Sequence, residues 1–245
     1  MQEEQSSPTW WPDLIRVAHE KLDGLTRIVT VNDPHQNYML RIMHTGKKAV
    51  LYVNLAGRRS LDSMFSGNYA EAVFEHENAH FTTARTQDSY WEIDPANPLF
   101  PIRNDLRIRY YQFSSHLINM TRDSIANAML EPKTLQQFLE FEVRKIGDRQ
   151  LRLPFVLDNL LWLTEVKLCA YMRHLSVSDL EKNISAILEQ NNVLQEIHVI
   201  AYDLFKKAWL ASQERSQAVD LTMETRTLRE YVLKHTPILL EAMPT

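Results

Sequence analysis

The sequence predicts an α+β fold that is predominantly helical, with a small N-terminal sheet and a C-terminal helical bundle. Three observations lead there. Only five glycines occur in 245 residues, which implies few tight turns and much helix. A β-branched segment, Thr26-Arg27-Ile28-Val29-Thr30-Val31, stands near the N-terminus. Beyond Pro132 the apolar residues recur at helical spacing alone.

Taken in order, residues 12–23 place Leu14, Ile15, Val17, Ala18 and Leu22 on a helical stripe that Gly24 closes. Strands are expected at 26–31, 38–43 and 49–54, separated by Asn32-Asp33-Pro34 and His44-Thr45-Gly46-Lys47. Together they predict a hairpin-rich sheet. Asn68 is expected to cap a helix over 69–83, and residues 88–101, rich in Asp, Asn and Pro, to form a loop. A long helix is predicted over 102–130, ended by Glu131-Pro132. Further helices are expected at 134–146, 155–175, 179–190, 193–214 and 220–234. Ser178-Asp179-Leu180-Glu181 has capping-box spacing before the 179–190 helix. The expected division is a mixed α+β domain over 1–132 and a helical domain over 133–245.

Composition narrows the function. Net charge is −4 with scattered basic residues, so nucleic acid is not an expected partner. No apolar run has the length of a membrane span, so no membrane partner is expected. The N-terminal Gln2-Glu3-Glu4-Gln5 is unlike a signal peptide. Cys169 is the one cysteine and lies in an apolar helical stretch, where it is expected to be buried as a small hydrophobe. The expected location is cytoplasmic.

His76-Glu77-Asn78-Ala79-His80 has the form H-E-x-x-H. On a helix, residues four apart share a face, so both imidazoles can meet one metal ion, for which Zn2+ is the expected cofactor. Glu77 projects beside them, where its carboxylate can take a proton from water at the metal. The bland alternative is a helical face whose histidines are merely solvated or packed. A catalytic zinc needs a third protein ligand. Asp123, on the long helix with Asn127 one turn later, is the leading candidate. Asp105, His116, Glu92, Asp94 and Glu131 are alternatives. Tyr90, Tyr110, Tyr111 and His116 have the chemistry to stabilise an oxyanion, although tyrosines among apolar neighbours more often serve packing.

These residues resemble the zinc metallopeptidases called zincins, specifically the thermolysin-like (gluzincin) and ImmA/IrrE-type peptidases. The likeness rests on the H-E-x-x-H helix, on Asp123-Ser124-Ile125-Ala126-Asn127 against their E-x-x-x-D or E-x-x-A-N, on a preceding strand ending in Asn54, and on Leu130-Glu131-Pro132. Asp123 stands where those families have Glu. The resemblance implies a zincin-like active-site helix, His76, His80 and Asp123 as ligands, Glu77 as general base, and Asn127 as a supporting hydrogen-bond partner. It implies a protein or peptide substrate, with a regulatory protein partner on the C-terminal helices. The strand at 49–55 is the candidate edge for an extended substrate, a central strand being the alternative. A reading from another class also stands: a non-enzymatic helical interaction or regulatory protein with a structural or vestigial metal site.

Overall fold

A computed structural model describes residues 8–34, 39–45, 47–86, 104–145, 156–213 and 221–235. It bears out an α+β, predominantly helical chain with one small sheet. By contacts the chain forms two units, residues 1–81 and 82–245.

The first unit opens with α1 (Trp11–Lys21), whose apolar stripe buries Leu14, Val17 and Ala18. Trp10 ties its start to α2 (Arg58–Ser66). The indole Nε1 donates to Asp62 Oδ1 at 2.6 Å and the ring stacks on Phe65. Gly24 turns the chain into the sheet at φ +69°, and a Cβ there would lie 2.0 Å from the Lys47 carbonyl oxygen. Neither condition is open to another residue without strain.

The sheet comprises β1 (Leu25–Val31), β2 (Leu40–Thr45) and β3 (Lys48–Asn54), in the order β1-β3-β2. β2 and β3 form the expected hairpin, from Leu40↔Val53 to Thr45↔Lys48. β1 does not continue it. It runs parallel to β3, from Leu25↔Ala49 to Val31↔Asn54. The reason lies in Asn54, buried at the end of β3. Its backbone N–H donates to Met39, and its side chain exchanges hydrogen bonds with both main-chain groups of Asp33 and accepts from Ala56 N–H. Both ends of the β1–β2 connection are thus pinned past the end of β3, which places β3 in the centre. The reading of 49–55 as a substrate-binding edge is therefore corrected, because both of its edges are filled by neighbouring strands.

A 3-10 turn (Leu55–Gly57) and α2 follow, and then α3 (Ala70–Thr86). Asn68 does not cap α3. It has a left-handed φ of 60°, and the first helical N–H, of Val73, donates to Tyr69.

The second unit comprises α4 (Asn104–Met129), α5 (Pro132–Lys145), α6 (Val156–Met172), α7 (Leu180–Leu188), α8 (Asn192–Gln213) and α9 (Thr222–His235). Pro132 opens α5 at its first position, where its missing N–H costs nothing, besides ending the preceding helix. Twelve of the 17 residues of α6 are buried, so this helix is the centre of the unit. It contacts α4, α5, α7 and α8. The sequence reading divides the chain near Pro132. The contacts instead keep α4 with α6, α8 and α9. The capping box before α7 is not formed: Asp179 occupies the cap position with φ 59° and makes no side-chain cap bond. Among the described residues no helix is long and apolar enough to cross a membrane.

Replacing Gly24 by Ala forces a Cβ against Lys47 in a left-handed backbone. The expected result is a loss of about 2 kcal/mol or more of stability, read as a lowered thermal midpoint.

Candidate metal centre

The motif helix is held in the first unit by its polar side. At the end of α1, the Lys21 ammonium contacts Glu75 Oε1 at 2.6 Å and Glu71 Oε2 at 3.6 Å, and the bond to Glu75 holds its pKa above the ordinary value. Two residues on, Asp23 N–H donates to Asn78 Oδ1 at 3.3 Å. The opposite side of α3 carries Ala72, Val73, His76 and Ala79, all buried. His76 is only 4% exposed, sharing its stripe with core residues. Glu77 and His80 are half-buried.

This arrangement brings the two imidazoles together. His76 Nε2 and His80 Nε2 lie 3.0 Å apart, with ring planes 86° to one another. Two nitrogens bound to one tetrahedral zinc at 2.0–2.1 Å stand about 3.3 Å apart, so the pair needs little adjustment to share an ion. Among the described residues His76, His80 and Asp123 form a group whose ligand atoms lie within 4.8 Å of one another, and such a group can hold a metal ion. Two imidazoles and a carboxylate suit zinc and its divalent neighbours alike.

The chain matches no family model, no curated protein and no solved structure. The chemistry of the group therefore rests on its own residues.

Asp123 is half-buried on α4. Around it the second unit holds acidic side chains that the sequence reading did not single out. Asn127, fully buried one turn later, donates through Nδ2 to Glu165 Oε1 at 3.0 Å. Cys169 Sγ donates to the same oxygen at 2.8 Å, so this thiol is buried as expected but also serves as a donor. Burial, then the negative charge of Asp123, pushes Glu165 up to about 8. Glu142 on α5 is raised as well, chiefly by burial, while Lys145 at 2.8 Å opposes the shift. A signal was present: Glu165 is the one acidic residue in Leu160-Leu161-Trp162-Leu163-Thr164-Glu165-Val166.

The alternatives fall elsewhere. His116 Nε2 donates to the Asp158 carbonyl at 3.1 Å on α6 and is outside the metal group. Tyr110 is 3% exposed, and burial raises its hydroxyl's pKa above the usual value. Tyr111 and Glu131 are exposed. Tyr90, Glu92, Asp94 and the side chain of Asp105 lie outside the described residues.

Two outcomes follow from this geometry. Purified protein is expected to carry about one equivalent of divalent metal, and His76→Ala and Asp123→Ala to carry less, by elemental analysis. Equal content in all three would dissolve the group as a site. The second concerns pH. Raised carboxyl pKa values mean that the folded chain keeps protons the unfolded chain releases between 4.5 and about 8. Stability of the metal-free protein is thus expected to fall as pH rises through that window and to level off above it. Glu165→Gln should flatten the decline in a series of thermal melts.

Proposed function

We propose that the protein is a zinc-dependent peptidase that hydrolyses peptide bonds in a protein or peptide substrate. The observation that supports this reading is the pair of imidazole nitrogens 3.0 Å apart on one helix, with Glu77 between them in sequence. His76, His80 and Asp123 would hold the ion. When bound, zinc polarises the substrate carbonyl and lowers the pKa of a water molecule.

The remaining chemistry belongs to the chain. Glu77 is the general base: its carboxylate accepts the proton of the attacking water and returns it to the leaving amine nitrogen. Glu77 is itself half-buried, so water has limited access to its carboxylate. An extended substrate would pair with an outer edge of the sheet, on β1 or β2, because β3 has no free edge. The helices of the second unit would offer a surface to a regulatory protein, and the resemblance to ImmA/IrrE-type and thermolysin-like enzymes belongs with this reading. Cytoplasm is the compartment that suits a chain whose one thiol is free and buried.

The test is a mixed quenched-fluorescent peptide library incubated with zinc-loaded protein. Wild type is expected to cleave it, and Glu77→Gln to keep its zinc while losing about 100-fold or more of the rate. Full activity in Glu77→Gln, or none in zinc-loaded wild type against peptides and unfolded proteins, would overturn the assignment.

A further inference from the structure

The hydrogen bonds between α4 and α6 trace a seam along two parallel helices. His116 meets Asp158, Asn127 meets Glu165, and, just past the end of α6, Arg173 Nη2 donates to the Ala128 carbonyl at 2.7 Å. Residues 116, 120, 123 and 127 follow the i, i+4, i+7, i+11 progression of one α4 face. Asp123 thus lies on the face that these contacts orient, between His116 and Asn127.

Glu165 is the strongest of the three anchors. It is 2% exposed, and Asn127 and Cys169 are fully buried, so water does not compete for the bonds. One oxygen, Oε1, takes both donors. The two bonds differ in consequence. The one from Cys169 lies within α6, although its thiol is also hydrogen-bonded to Asn127. The one from Asn127 crosses to α4 a single turn beyond Asp123. Losing it would leave a buried amide donor unsatisfied and remove the constraint on α4 nearest to Asp123.

We propose that Glu165 is a positioning residue for the metal site: by holding Asn127 it fixes the rotation of α4 that presents Asp123. The inference rests on the reading of Asp123 as the third ligand. Partners bonded directly to a metal ligand alter metal affinity by about 10–100-fold when removed; Glu165 acts through Asn127, one step further out, so the lower end of that range is expected. The hydrogen bond, not the charge, does the positioning, so a neutral side chain with the same acceptor serves equally.

The experiment is competitive zinc titration against a chelator, together with the visible absorption of Co2+-substituted protein, on the full-length chain. Glu165→Leu is expected to weaken zinc binding by about 10-fold or more and to shift the Co2+ bands. Glu165→Gln should stay within about 3-fold of wild type, because its amide oxygen still accepts from Asn127. Thr164→Val, which removes a buried hydroxyl bonded to the Leu160 carbonyl within α6 and to His198 on α8, should lower the melting temperature and leave zinc affinity unchanged. If Glu165→Leu fails to fold, Asn127→Ala breaks the same link from the α4 side and should give the same loss. Wild-type affinity in folded Glu165→Leu or in Asn127→Ala overturns the inference alone. An equal loss in Thr164→Val overturns it as well, by showing general damage to the core. Failure of wild type to bind zinc overturns both this inference and the reading beneath it.

Discussion

Four residues make slightly more than one turn of α-helix, so His76 and His80 rise one above the other on a single side of α3. That pitch alone permits convergence; it does not ensure it, since a histidine ring can swing to solvent. What removes the freedom is the setting. His76 shares a stripe with Ala72, Val73 and Ala79 in the interior, and the helix cannot roll because Lys21 and Asp23 grip Glu75 and Asn78 on the other side. The short turn at Gly24 places those two grips, so the sheet and the motif helix share one corner of the chain.

The helical unit solves a different problem. A buried carboxyl group is costly unless its oxygens are occupied by donors or it keeps its proton. Glu165 has the first from Asn127 and Cys169 and is biased towards the second by its surroundings. Other polar side chains nearby follow a cheaper route. Thr121 and Ser124 each donate to the carbonyl four residues back, which satisfies the hydroxyl within the helix. The bond from Asn127 to Glu165 therefore specifies how two helices meet in a way that those local bonds do not.

Legibility in the sequence followed the range of the interactions. The motif pair and the long helices are local patterns of three to four residues, and they read directly. The β2–β3 hairpin was equally plain because its turn is short. The parallel pairing of β1 depends on Asn54 reaching back to Asp33, a contact across 21 positions that no periodicity encodes. Asn68 and Ser178 misled as caps because turn-forming residues also adopt left-handed or looped backbone before a helix begins. Glu165 is hard to read for a related reason: its meaning comes from α4, far away in the chain. One carboxylate among leucines was the clue, since a lone acid in an apolar helix needs a partner from outside it.

The single thiol carries a consequence for following this protein in solution. Cys169 has no exposed surface, and burial together with the adjacent Glu165 carboxyl keeps its sulfur far from the reactive thiolate form. An alkylating reagent can reach it only when α6 separates from its neighbours. The rate of modification is then a clock for breathing of the helical interior, with no engineered label required, and it reports on the very seam at which Asn127 crosses to its acceptor.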